Sequence, residues 1–118
     1  MYSVKMLYER AYKVLGIPIV FDYHHHKFCA GGMSEHEALE MAASTWGNII
    51  PNCHYSESQC IEKNIKCSPT AHSDYVYNKI NDYGLNLDVC LEAKAKELAV
   101  LKYREMFENH EIALRNVV

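Results

Sequence analysis

Asp22 closes a short apolar run and is followed almost at once by His24, His25 and His26, in the stretch "FDYHHHKF". Two other places carry residues of the same kind after a short apolar stretch of their own: His54 in "NCHYSES" and Glu92 in "CLEAK". Carboxylates and imidazoles are ligands of divalent cations, and a mixed nitrogen and oxygen set suits Zn, Mn or Fe(II) better than Ca or Mg. Neighbouring parallel strands lie about 4.8 Å apart. If the three apolar stretches are such strands, their ends converge on one cation or on a small cluster. His72, in "AHSDY", belongs to a connection that would overhang the same end. Ions about 3.5–4 Å apart are what phosphodiester hydrolysis uses to make hydroxide and to hold the leaving oxygen, so the pattern points to a phosphate ester as substrate.

Plainer readings compete at each position. A single histidine at a strand end is more often a hydrogen-bonded structural residue than a ligand, and a histidine run can be a tag. Here the run is three residues long, internal and flanked by a strand pattern, which removes the tag reading. His36 and His110 fall on expected helices away from the strand ends and read as surface residues. Lys94 and Lys96, just beyond Glu92, either grip phosphate or sit in a solvated first helical turn. Tyr23, Trp46 and Tyr55 either stack on a base or pack, and packing is the commoner role.

The elements that must position these groups alternate along the chain. Val4, Leu7, Tyr8, Ala11, Tyr12 and Leu15 recur at the spacing of an amphipathic helix over residues 3–14, which Gly16 and Pro18 end. "IPIVF" then reads as a fully buried parallel strand with Asp22 at its carboxyl end. Ser34 with Glu37 forms a capping box ahead of a helix that buries Ala38, Met41 and Ala42. Residues 48–54 read as a second strand, and a loop runs from Ser56 to about Thr70. "HSDYVYNKINDYG" reads as a short helix ending at Gly84, "NLDVCLEAK" as a third strand, and "AKELAVLKYREMFENH" as a helix with Leu98, Leu101, Tyr103 and Phe107 on one side. The order α, β, α, β, α, β, α predicts an α/β fold with parallel strands joined by right-handed crossovers. Alternation alone leaves an open sheet and part of a barrel both standing. The absence of G-x-G-x-x-G and Walker patterns disfavours a nucleotide-binding open sheet.

At 118 residues the chain has the length of one domain, and its 49% hydrophobic and 23% charged residues are ordinary for a folded protein. A formal net charge of −3 supplies no global basic footprint, so attraction to a polyanion has to come from local lysines or bound metal ions. No apolar stretch approaches a membrane span, and "MYSVKMLYER" lacks the apolar core of a signal peptide. The expected compartment is therefore the cytoplasm, or the nucleus in a eukaryote, with no membrane partner. The five cysteines, at 29, 53, 60, 67 and 90, form an odd set without C-x-x-C spacing and read as free thiols, with Cys60 and Cys67 in one loop as the pair able to bond or take a metal.

"GIPIVFDYHHHKF", "HYSES", "AHSDYV" and "LDVCLEAKAKELAVLKYR", in this order, resemble the C-terminal half of the ultraviolet damage endonucleases, over nearly the whole chain. The resemblance implies a TIM-type (β/α)₈ barrel, of which this chain would supply the last three or so β/α units. It also implies a cluster of divalent metals, usually manganese with Zn²⁺ or Mg²⁺ as alternatives. The activity implied is nicking of damaged double-stranded DNA immediately 5′ to a photoproduct or abasic site. Carried over by motif, Asp22 and His25 would be ligands from D-x-x-H, His54 from "HYS", His72 from "HSDY" and Glu92 from "EAK". Asp22, His25, His54 and Glu92 would be the catalytic set. His24 or His26 would hydrogen-bond a carboxylate or phosphate behind the ligands, with Tyr55 and Lys94 beside the DNA backbone. The family often has a lysine two residues before the histidine of "HYS", and Asn52 stands there instead.

A TIM barrel takes about 250 residues, so the chain is expected to be a fragment, a split-gene product or a partial reading frame. Such a piece would expose two sheet edges and call for the missing barrel half or self-association. Two other readings remain. One is a metal-dependent sugar isomerase or epimerase on the same kind of barrel, against which "HYSES" and "EAKAKE" argue. The other is a non-catalytic metal-binding module that completes a barrel.

Overall fold

The structure is a computed structural model that describes residues 2–108; His110 and the end of the last expected helix lie outside the described residues. Cα packing divides the described residues into two compact units. The first runs up to Tyr55 and takes in Asn81–Cys90; the second holds Ser56–Ile80 and the described residues from Leu91 on.

The first unit opens with α1 (Val4–Leu7), a π-helical turn (Tyr8–Tyr12) and α2 (Lys13–Leu15). Ser3 caps the start by accepting from the Met6 amide, and Gly16 ends the run at φ 70°, a left-handed conformation open to glycine. Strand β1 (Phe21–Asp22) leads into α3 (Tyr23–Phe28), and α4 (Glu35–Ser44) follows behind the expected capping box of Ser34 and Glu37. Strand β2 (Asn52–Tyr55) pairs in parallel with β1, and β3 (Asp88–Leu91) completes a sheet of order β1-β2-β3. Ile19, Phe21, Tyr23, Ala38, Leu39, Ala42, Cys53 and Tyr55 make the buried core between the sheet and its helices.

The first strand is shorter and more exposed than the sequence predicts. The amide of Ile19 donates to Thr45 Oγ1 at 2.9 Å, and its carbonyl accepts from the Trp46 indole at 2.8 Å. Side chains at the end of α4 thus satisfy backbone groups that a neighbouring strand would otherwise take. Ile17 and Val20 are exposed while Ile19 and Phe21 are buried, so the run is buried on one face and not on both. The histidine run, expected as a strand end and its loop, is the helix α3. Asp22 nucleates it by accepting the His25 amide at 2.9 Å as N-cap.

In the second unit, α5 (Gln59–Lys63) occupies part of the expected loop, and α6 (Glu97–Phe107) is the last helix among the described residues. No helix forms within residues 72–84. The amides that a helix would bond to its own carbonyls go to carboxylates instead: Asp74 and Tyr75 donate to Glu62, and Tyr77 and Asn78 to Glu57. Burial opposes the charge on Glu62, but donors from Asp74, Tyr75 and Tyr77 outweigh it and hold the carboxyl below its usual range. On α6 the buried residues are Ala99 and Tyr103, with Phe107 half-buried, whereas Leu98 and Leu101 are exposed. Spacing by four from Ala99 sets the inner face, and Tyr103 accepts the Ile80 amide at 3.0 Å through its hydroxyl. Cys60 and Cys67 form a disulfide, which overturns the reading of all five cysteines as free; Cys29, Cys53 and Cys90 keep their thiols.

Leu39 is fully buried, and its truncation to alanine should cost about 3 kcal/mol in urea unfolding, the usual range for a cavity of that size. Burial pushes the Cys53 thiol from near 9 up to about 11. The unfolded thiol ionises first, so this stability is complete below about pH 9 and is lost as pH rises through about 11. At pH 8, iodoacetamide should label exposed Cys90 well before Cys53.

Candidate metal centre

Parallel pairing sets Phe21 opposite Cys53 and Asp22 opposite His54. Because side chains alternate across a sheet, Phe21, Cys53 and Tyr55 enter the core while Asp22 and His54 share the other face as neighbours. On β3 the same alternation leaves Asp88 and Cys90 exposed and Val89 and Leu91 half-buried, and it carries one step past the strand to Glu92. Glu92 belongs to the second unit, and within the first unit Asp22 and His54 are the neighbouring pair of candidate ligands. A cation bound at about 2.1 Å from each donor needs donors no more than about 4.2 Å apart, which side chains on directly paired strand residues such as Asp22 and His54 can reach. Asp22 and His54, a carboxylate and an imidazole, both half-buried, are suited to a divalent metal by donor chemistry and by charge.

Asp22 serves two purposes here. One oxygen of its carboxylate receives the His25 amide, which fixes its rotamer, and a carboxylate has lone pairs enough for a second partner. The alternation also brings Asp88, Cys90, Asn52 and His54 to the lining of one depression on this face. Asp88 and Cys90 were not foreseen as site residues, although "LDVCLE" spaces them and Glu92 two apart, the signature of one strand face.

The remaining expected residues are placed as follows. His25 turns its Nε2 to the Tyr2 carbonyl, donating at 3.1 Å, and lines a recess with Val4, Leu7 and Cys29. His72 lies in the second unit, in an antiparallel bridge with Ser58. His24 packs edge-on against Phe28 and His26 lies against Phe21, both buried. Tyr55 is buried against Tyr23, on the opposite face of the sheet from His54. Tyr23 donates its hydroxyl to the Asn81 carbonyl at 2.7 Å, and burial foremost, with nearby Cys53 and Glu35, raises its pKa. Tyr23, Tyr55 and Trp46 are packing residues. Lys94 and Lys96 are exposed.

The family described as "UV-endonuclease UvdE" matches residues 2–117. The chain belongs to this family. It is 35% identical over 99 residues to a UV DNA damage endonuclease of Bacillus mycoides (strain KBAB4), covering 73% of this chain and 29% of that protein. Against a UV DNA damage endonuclease of Bacillus cereus (strain Q1) the identity is 34% over 100 residues, covering 74% and 29%. The crystal structure of SacUVDE superposes with a TM-score of 0.76 at 26% identity, over 94% of this chain and 37% of that one. The chain therefore spans under a third of these curated relatives and little more than a third of the solved structure. Its α/β architecture with a parallel sheet is that of a segment of the family's barrel.

The double role of Asp22 separates two substitutions. Asp22→Ala should lower stability by about 1 kcal/mol through loss of the α3 cap, whereas Asp22→Asn, which still accepts from the amide, should stay within about 0.5 kcal/mol of the parent in urea unfolding.

Proposed function

We propose that this chain is the C-terminal, metal-binding part of a DNA-repair endonuclease barrel that nicks the backbone 5′ to ultraviolet photoproducts and other lesions by metal-dependent phosphodiester hydrolysis. The observation that carries this reading is the side-by-side pairing of Asp22 with His54 on two parallel strands in a chain of the UV-endonuclease family. Manganese is the cation the family resemblance favours, and the donor set also accommodates zinc. Such an ion supplies positive charge to the phosphate oxygens and makes water more acidic.

The chain's own residues account for holding and orienting. Asp22 and Glu92 contribute the negative charge that attracts a cation, and His54 contributes a neutral imidazole lone pair. The His25 amide keeps Asp22 from rotating away. Lys94, exposed two residues beyond Glu92, is the cation available for a DNA phosphate. His25 and His72 join the metal set in this reading once a cation draws in their rings.

A barrel-completing module without activity of its own is the second reading. It is favoured by the coverage of about a third of the relatives and by a sheet that has three strands among the described residues. Nicking of ultraviolet-irradiated against untreated supercoiled plasmid, with manganese, distinguishes the two. Damage-dependent nicking that His54→Ala and Glu92→Ala both abolish would establish the endonuclease reading for this chain. Manganese bound in proportion to protein, without nicking, would favour the module. Neither binding nor nicking would overturn the metal mechanism. In the metal-binding assay each variant should weaken affinity by at least about tenfold, the smaller end of what loss of even an outer partner costs.

A further inference from the structure

The disulfide between Cys60 and Cys67 encloses most of α5, and the segment that α5 organises carries His72. Glu62 lies within the ring closed by the two cysteines, whose Cα atoms are 5.5 Å apart. Its carboxylate accepts from the Asp74 amide at 2.9 Å, the Tyr75 amide at 3.1 Å and the Tyr77 hydroxyl at 2.7 Å. Just outside the ring, Gln59 donates to the Ala71 carbonyl at 3.0 Å, and Ser58 pairs with His72 in the antiparallel bridge. Lys63, in the ring, approaches Asp74 at 3.3 Å. Every one of these ties runs from the stretch 58–63 to the stretch 71–77, which has no helix or strand of its own.

Alone, α5 is weak. It has five residues, no side-chain cap at Ser58, and a left-handed Asn64 at its end. Helices this short do not hold in water without tertiary support. The ring supplies that support by removing open conformations of residues 60–67. Reduction would leave the helix to its few hydrogen bonds, and the grip on 71–77 would loosen with it. The bond is also open to attack: both cysteines are half-buried, Ile61 is 83% exposed, and Lys63 and Lys66 within the ring are exposed and supply the positive charge that favours an approaching thiolate.

We propose that Cys60 and Cys67 form a thiol–disulfide clasp that sets the order of the His72-bearing segment. In the reductive step a dithiol attacks the Sγ–Sγ bond; two electrons and two protons pass to Cys60 and Cys67, which become thiols, and the reductant leaves as its own disulfide. Any bearing of the clasp on the metal centre rests on the reading of His72 as a ligand given above, and the clasp itself does not.

Alkylation with iodoacetamide under denaturing conditions, before and after dithiothreitol, counts the thiols by mass. Hydrogen exchange of residues 71–78 then compares the two forms and the double variant Cys60→Ser/Cys67→Ser. The expected result is three labelled cysteines before reduction and five after, following the three free thiols of the structure. Exchange at Asp74 and Tyr75 should be about tenfold faster in the reduced protein and in the variant, while Leu39 and Cys53 keep their protection. Five labelled cysteines before reduction would overturn the proposal. So would equal exchange at Asp74 and Tyr75 in the two redox forms. Should the variant fail to fold, reduction of the parent protein decides alone.

Discussion

The pairing of Phe21 with Cys53 and of Asp22 with His54 is the constraint on which the rest depends. A strand has two faces, and sliding β1 by one residue against β2 would put Asp22 into the core and Phe21 on the open face. Fully buried Phe21, at 1% exposure, forbids that slip, because water would then receive a phenyl ring and the core an uncompensated carboxylate. The apolar packing beneath the sheet is therefore what holds the two ligand-bearing side chains side by side above it.

A second theme is the use of side chains where a longer ladder or helix would have used backbone. Thr45 and Trp46 close off the amide and carbonyl of Ile19, which keeps β1 short. Glu57 and Glu62 take amides from residues 74–78, which keeps that stretch out of a helix. Asp22 starts the helix of the histidine run with the same kind of bond. At Ile19 and over residues 74–78 a polar side chain from elsewhere in the sequence competes with local propensity and wins, since it satisfies a donor without requiring the regular conformation, whereas at Asp22 the bond is local and starts a helix. The Glu62 bonds also explain the Tyr77 hydroxyl, whose pKa rises to about 12 beside that carboxylate.

A metal centre assembled from strand ends suits a parallel sheet. Asp22 and His54, more than thirty residues apart in sequence, come side by side because consecutive strands are neighbours in space, each contributing one group. The cap on Asp22 keeps its carboxylate in place beside His54. The exposed face of the sheet is accordingly polar around these residues, with Asn52, Asp88 and Cys90 beside His54.

Much of this was legible in the sequence by itself. The alternation of elements, the capping box at Ser34, the parallel strands and the three strand-end residues Asp22, His54 and Glu92 all follow from local pattern, because periodicity and capping are written within a few residues. The short first strand, the helix of the histidine run, the missing helix over 72–84 and the inner face of α6 were decided only in three dimensions. So was the disulfide of Cys60 with Cys67, since spacing in a loop does not say whether two thiols meet. For the short strand, the missing helix and the inner face of α6 the reason is shared: each depends on a partner supplied from another element, Thr45 for Ile19, Glu62 for Asp74, Tyr103 for Ile80, and no short window of sequence around one residue contains the other.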